Sequence, residues 1–381
     1  MGEAYSDGFK GHRLGLLANQ ASLDRHLRSA KTVLSNLFPG QLKALFGPQH
    51  GYGGEDQDNM VETKNAADPA LNIPVFSLYA ESREPDASML DRIDTLVIDL
   101  QDVGTRVYTF AATMLNCLKA ASGTDKRMVI LDRPNPLSGD TVEGNLLDPA
   151  YYSFVGPCRL PMRHGLTMGE LAQLFIKEFG LDTHLEIIPM KGWRRGMLWS
   201  GTGLRWVMPS PNMPFPGTAM VYPGQVIWEG TNLSEGRGTC RPFEIFGAPY
   251  LNIQAIKSAL EPQQLEGCVL QDYQFRPTFN KWAGELCHGF MLHILDPGYQ
   301  PYWTSLTLLK AILDTHSSDF RWSGPPYEYE YQKKPIDMIL GDPILRKNLE
   351  AGESLSGLRD RWLPELKDFL EWRKPYLIYR D

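Results

Sequence analysis

The sequence predicts an α/β protein, with a Rossmann-like, mostly parallel sheet followed by a second, smaller α+β domain. Two observations carry this. Short apolar runs at 14–19, 42–46, 74–79, 95–100 and 128–132 alternate with helical stretches, the pattern of a doubly wound sheet buried on both faces. In addition, Asn19, His50, Glu55, Asp99, Asp102, Arg106, Asp132, Arg133 and Asn135 all fall at or just past the carboxyl end of such a run. That edge is where open α/β sheets bind ligands. The pattern changes near Pro157, which divides the chain into a Rossmann-like domain over 1–157 and an α+β domain over 158–381.

Taken in order, 14–19 is a buried strand. A helix is expected over 22–37, with Ser22 as its N-cap and Leu23, Leu27, Ala30, Val33 and Leu34 on one face. The strand from Leu42 to Phe46 runs into G-P-Q-H-G-Y-G-G-E-D-Q-D-N, and the T-L-V-I-D-L strand into Q-D-V-G-T-R-V-Y and a helix to about Ala121. M-V-I-L-D is followed by R-P-N-P-L. Thr167 and Glu170 form a capping box for a helix through Phe179, so Glu170 is read as a cap. Leu185–Met190 is a further strand. W-V-M-P-S-P-N-M-P-F-P-G is too proline-rich for regular structure and is either a linker or a cleft wall, with Asn212 facing a ligand in the second case. The tail from about 249 carries helices at Leu306–Leu313 and Leu358–Trp372. It is thin in clustered catalytic residue types and is read as completing the cleft.

Composition narrows the function. Of 381 residues, 43% are hydrophobic and 22% charged, as in ordinary globular domains. Net charge is −7 with no Lys/Arg block, which argues against nucleic acid as a partner. No G-x-G-x-x-G follows a strand and no G-x-x-x-x-G-K-[ST] occurs, so neither NAD nor ATP is expected. The five cysteines, at 117, 158, 240, 268 and 287, include no C-x-x-C and read as reduced thiols. The polar start and the lack of a membrane-length apolar run lead to the expectation of a cytoplasmic protein without membrane association.

The stretch Trp228–Arg241, W-E-G-T-N-L-S-E-G-R-G-T-C-R, concentrates Glu229, Asn232, Glu235, Arg237 and Arg241 with almost nothing to bury. It is either a capped, solvated turn or a site. Glycoside hydrolysis needs a proton donor and a second carboxylate. Glu229, Glu235, Glu55, Asp102 and Glu143 are the carboxylates beside glycine-rich turns. Arg106, Arg163, Arg237 and Arg241 offer forked donors for an anionic group, and His50 and His164 each precede a glycine. A metal site would draw on His50, Asp56 and Asp58, but no His-x-x-x-His spacing supports one. A G-x-S-x-G elbow is absent, which leaves Ser210 and Ser234 as turn residues.

Several longer motifs occur in one order between about 45 and 250. They are G-P-Q-H-G, D-L-Q-D-V-G-T-R-V-Y-T-F, L-D-R-P-N-P-L, V-E-G-N, R-H-G-L-T-M-G-E-L, P-S-P-N-M-P and E-G-T-N-L-S-E-G-R-G-T. In these the chain resembles the NamZ-type exo-β-N-acetylmuramidases, a family long grouped as a domain of unknown function. The resemblance implies a cleft between a Rossmann-like domain and a smaller C-terminal one. It also implies removal of a terminal N-acetylmuramic acid from peptidoglycan fragments, without a cofactor. Glu229 or Glu235 would be one catalytic carboxylate and Glu55 or Asp102 the other. His50, Gln49, Arg106, Tyr108, Asn135, Glu143, Arg163, His164, Asn212, Asn232 and Arg237 would bind the sugar and its lactyl carboxylate. The chain departs from the family at Gln49, where the family pattern commonly has Glu. An amide neither donates a catalytic proton nor acts as a base, so either Glu55 takes that role or this member is altered. Two other readings follow: a silent sugar-binding protein, and a metal-dependent hydrolase of cell-wall material. The oligomeric state stays open.

Overall fold

The computed structural model describes residues 8–58, 60–260 and 265–380. Its strands are β1 (Leu14–Ala18), β2 (Leu42–Gly47), β3 (Ala66–Asp68), β4 (Ile73–Ser77), β5 (Thr95–Asp99) and β6 (Arg127–Leu131). β7 (Glu143–Leu146) and β8 (Pro161–Arg163) form a separate antiparallel pair, after which β9 (His184–Ile188) returns to the main sheet. The seven-stranded order is β3-β4-β2-β1-β5-β6-β9. Apart from β3, which runs antiparallel at one edge, every pairing is parallel. Without β3 this is the Rossmann order, and the connection reverses between β1 and β5.

The sheet is apolar on both faces, which is why its strands read as continuous runs. Leu16, Val97 and Val129 pack with Ala30 and Leu34 of α1 (Ala30–Leu37). Leu17, Phe46, Ile98 and Ile130 belong to the larger core on the other face. The short α2 (Ala87–Leu90), α3 (Phe110–Ala121) and α4 (Met168–Phe179) contribute Leu90, Met114, Leu118, Leu171 and Phe175 to that core. Thr167 and Glu170 make both halves of the expected capping box at α4.

The second half holds α5 (Pro216–Gln225), β10 (Ile245–Ala248), α6 (Ile253–Ala259), β11 (Cys268–Phe275), β12 (Cys287–Ile294) and α7 (Pro301–Thr315). The short α8 (Pro335–Leu340) and α9 (Leu345–Glu350) lead to α10 (Leu355–Trp372). β10-β12-β11 is a small antiparallel sheet. The proline-rich segment stays irregular until Pro216 starts α5 in the first-turn position that suits proline. Among the described residues no helix is long and apolar enough to cross a membrane. Cys240 is exposed, and the other four thiols are buried and unbridged.

Two expectations change. The helix over 22–37 begins only at Ala30, because Ser29 is the N-cap and accepts from the Thr32 amide. Ser22 instead donates to the Asp99 carbonyl and to Asn19, which ties an irregular segment to the end of β5. The division at 157/158 also cuts the main sheet, since β9 pairs with β6 through Arg127↔His184 to Leu131↔Ile188.

Candidate active site

Loops after β2 and β5, the proline-rich segment, the Glu229–Arg237 stretch and a tail turn at 327–330 meet around a cavity of about 40 Å³. Of the expected residues, Gln49, His50, Tyr108, Asn212, Glu229 and Arg237 line it. Tyr222, Tyr327 and Glu328 join them.

The Glu229 side of the cavity is an ion-pair network. Glu229 lies within the 3-10 turn Val226–Gly230, while the glycines at 236 and 238 take φ of +79° and +77°. A Cβ at Gly238 would lie 2.6 Å from the Phe279 carbonyl oxygen, so only glycine lets this loop pack there. Arg237 donates from Nη2 to Glu229 Oε1 at 2.8 Å, and its Nε lies 3.2 Å from Glu235 Oε1. Tyr327 donates its hydroxyl to Glu229 Oε2 at 2.7 Å. Behind them, Lys281 Nζ donates to Glu235 Oε2 at 3.0 Å. Burial pushes the Glu235 carboxyl up, but Lys281 and Arg237 outweigh it and hold the group below its ordinary value. Burial alone would lower the Arg237 pKa, yet Glu229 and Glu235 raise it above the ordinary arginine value. Arg237 Nη1 is buried and has no hydrogen-bond partner among the described residues.

Glu328 faces the same cavity from a tight turn in which Tyr327 and Glu330 pair. Glu328 and Tyr329 take φ of +45° and +68°, positive values that cost non-glycine residues strain and tend to occur where function requires them. Gln49 Nε2 donates to Glu328 Oε1 at 3.0 Å and Tyr79 Oη to Oε2 at 2.6 Å. Gln49 in turn accepts from Thr109 Oγ1 at 2.6 Å. Thr109 is the N-cap residue of α3, but its hydroxyl is turned to Gln49 rather than to the helix. Burial raises the Glu328 carboxyl above its ordinary value; the Tyr79 and Gln49 hydrogen bonds oppose this and the Glu229 charge adds to it.

His50 has φ +73°, and its Nδ1 lies 2.7 Å from the Asp56 carbonyl oxygen. Burial, with a smaller contribution from Arg237, lowers its pKa to about 4, against the Asp56 carbonyl and carboxylate. Asn212 donates to the Gln57 carbonyl at 2.9 Å, which fastens the 51–58 loop beside the cavity. Among the described residues His50, Asp56 and Asp58 do not form a metal-holding group.

The other expected site residues are placed elsewhere. Glu55 is exposed and folds back on its own loop, accepting from the Gly53 amide at 3.0 Å. Asp102 is buried behind the cavity and accepts from the Gly104 amide at 2.6 Å, with burial raising its pKa to about 7. Arg106 is fully buried and spends four hydrogen bonds on the carbonyls of Asn145, Leu160, Ile339 and Leu340. Asn135 bonds Leu137 and Leu166 main-chain groups. Glu143 accepts from the Trp303 amide in the first turn of α7 at 2.8 Å, and burial raises its pKa to about 7. Arg163 donates to the Leu137 carbonyl. His164 accepts from the Leu166 amide at 3.1 Å, and burial together with Arg373 lowers its pKa to about 3. Asn232 bonds Asp319, Tyr250 and Arg321. Apart from the exposed Glu55, these residues bond mainly to main-chain groups, and none of them lines the cavity. Glu328, Tyr327 and Tyr79 were not expected. A carboxylate flanked by tyrosines in P-Y-E-Y-E-Y was the available signal.

A larger cavity of about 380 Å³ opens over the ends of β5, β6 and β9, beside Asp99, Arg133, Lys191 and Trp193.

Comparison with known proteins places this geometry. The family models for exo-β-N-acetylmuramidase NamZ match at residues 14–216 (N-terminal) and 220–379 (C-terminal). A Bacillus subtilis protein described as peptidoglycan β-N-acetylmuramidase NamZ is 39% identical over 376 residues, covering 98% of this chain and 89% of that one. The chain belongs to the NamZ family. Two solved structures of DUF1343 family proteins from Bacteroides fragilis have a similar fold. One has a TM-score of 0.89 at 30% identity, covering 99% of this chain and 97% of its own. The other has a TM-score of 0.74 at 27% identity, covering 100% and 97%. The two NamZ models meet near the start of α5, so that both halves contribute to the cavity: Gln49, His50, Tyr108 and Asn212 from the first, Glu229, Arg237 and Glu328 from the second.

Proposed function

We propose that this chain is an exo-acting glycoside hydrolase that releases terminal N-acetylmuramic acid from peptidoglycan fragments, with Glu328 as the proton donor and Glu229 as its charged partner. The observation that carries the reading is that Glu229 and Glu328, from distant loops, line one cavity together with a buried arginine whose Nη1 is unpartnered. The B. subtilis relative, described as a peptidoglycan β-N-acetylmuramidase, supports the substrate class.

The chemistry follows from the surroundings of each group. Burial and the Glu229 charge favour the protonated form of Glu328, as a general acid requires. Glu229, held by Arg237 and Tyr327, presents negative charge to the oxocarbenium-like transition state. Arg237 Nη1 offers a charge-assisted hydrogen bond to the lactyl carboxylate. Gln49 cannot transfer a proton, but its amide holds Glu328 in place. The departure at position 49 is thereby met by a carboxylate from the tail rather than by Glu55.

A cavity of about 40 Å³ holds a few waters, whereas sites for drug-sized ligands run to roughly 300 Å³ or more. Sugar entry therefore requires the 51–58 loop or the 327–330 turn to move outward. The loop is tied down by Asn212 to the Gln57 carbonyl and by Asn280 to Asp58 at 3.1 Å.

The test is release of chromophore from a β-MurNAc aryl glycoside by the wild type and by Glu229→Gln and Glu328→Gln. Turnover lost in both variants supports the assignment. Wild-type turnover that survives both substitutions removes these residues from it. Tight MurNAc binding by calorimetry without any wild-type turnover would favour a sugar-binding protein.

A further inference from the structure

Resting on the glycosidase reading, we propose that His50 is the general base that takes a proton from the water attacking the anomeric carbon, so that the enzyme inverts configuration.

The first ground is the tautomer. His50 Nδ1 faces the Asp56 carbonyl oxygen at 2.7 Å. A carbonyl oxygen only accepts, so the ring hydrogen sits on Nδ1 and Nε2 carries a lone pair. Such a hydrogen bond to one ring nitrogen sets the role of the other. No hydrogen bond occupies Nε2 among the described residues, and the ring borders the cavity shared by Glu229 and Glu328.

The second ground is competition. Both oxygens of Glu229 already accept hydrogen bonds, from Arg237 and Tyr327. Hydrogen bonds to a charged form stabilise it and weaken it as a base. Glu328 enters the step protonated, as the proton donor, and so is not the base. His50 Nε2 is the basic atom at this cavity whose lone pair no described residue engages.

The third ground is placement. His50 is held at φ +73° and is followed by Gly51 at +87°, and the Asp56 amide returns to the His50 carbonyl at 3.2 Å. A non-glycine residue in this region is strained, and such strain persists where surrounding structure fixes it. Here it aims two successive residues, Gln49 and His50, at one cavity. The ring stays neutral because burial and Arg237 oppose its charging, so the lone pair is available at neutral pH.

The step balances as a single displacement. The water oxygen bonds to the anomeric carbon while the glycosidic C–O bond breaks. One water proton passes to His50 Nε2, and the Glu328 carboxyl proton passes to the leaving oxygen. The imidazolium then returns its proton through solvent to the Glu328 carboxylate, and a β-glycoside yields the α-anomer of the free sugar.

The experiment compares wild type, His50→Gly and His50→Asn on a β-MurNAc aryl glycoside. Both replacements tolerate positive φ, and thermal melting confirms that they fold. The expected result is a loss of kcat by about 100-fold or more in both, with KM little changed. Added imidazole restores His50→Gly, which leaves a ring-shaped space, and does not restore His50→Asn. Proton NMR at early times shows the α-anomer from the wild type. A raised KM with kcat intact would reduce His50 to a hydroxyl-binding residue, and early β-anomer would rule out direct displacement; either overturns the proposal while the glycosidase reading stands. A wild type that turns over nothing overturns that reading, and this proposal with it.

Discussion

Arg106 and Arg237 are both fully buried arginines beside glycine-punctuated loops, and they do opposite work. Arg106 gives its guanidinium to four main-chain carbonyls, two of them at the end of α8. It fastens the tail to the loop after β5, and burial without a close carboxylate lowers its pKa to about 10. Arg237 is set among carboxylates, with Nη1 unpartnered beside a cavity. A buried cation whose bonds all end on neutral carbonyls is a structural clamp. One held by acids with a donor to spare can bind an anion. Burial therefore does not separate structure from site; the identity of the partners does.

Substitutions sharpen that contrast. Arg106→Met should destabilise the protein by on the order of 5 kcal/mol, because buried carbonyls left without partners cost roughly 1–3 kcal/mol each. Urea unfolding measures this, and KM of the folded fraction should stay near wild type. Glu328→Gln should do the reverse, lowering kcat by about 1,000-fold, near 4 kcal/mol of barrier, with the unfolding midpoint little changed. A kcat loss in Arg106→Met equal to that in Glu328→Gln would erase the distinction between the two regions.

pH reports on the structural region at a smaller scale. The folded pKa of His164 lies at about 3, well below the unfolded value near 6.5. Its share of stability is complete above pH 6.5 and is lost as pH falls from 6.5 toward 3, at up to about 1.4 kcal/mol per pH unit. Asp102 and Glu143, raised to about 7, act with the opposite sign as pH rises from about 4 to 7. His164→Asn keeps an acceptor for the Leu166 amide, and unfolding curves at pH 5 and 7.5 should show a shallower acid limb than the wild type. The smallest effect is expected at Glu55→Ala, an exposed change that should leave kcat/KM within about twofold and stability within about 0.5 kcal/mol.

The sheet was legible because its central strands, β1 and β5, are buried on both faces, and the α4 capping box because its bonds are local. The Glu229–Arg237 stretch and Gln49-His50 were legible as polar residues with nothing to bury. Asn135, Glu143, Arg163, His164 and Asn232 looked the same on paper. The loops after β5 and β6 are themselves buried, so their main-chain groups need partners, and residue types suited to ligands serve that need equally well. Glu328 was hidden for the converse reason. It is one of two glutamates in P-Y-E-Y-E-Y, within a tail thin in clustered catalytic types, brought to the cavity by a turn with positive φ at Glu328 and Tyr329, neither a residue whose type announces it. The helix over 22–37 was overdrawn because apolar spacing continued through a segment whose Ser22 bonds the end of β5 instead.

The most direct measurement is a crystal structure with N-acetylmuramic acid bound. The account predicts the pyranose ring between Glu229 and Glu328, the lactyl carboxylate on Arg237 Nη1, and the 51–58 loop or the 327–330 turn displaced outward. A sugar seated instead in the 380 Å³ cavity beside Trp193, with the Glu229–Arg237–Glu328 cavity unchanged, would contradict it.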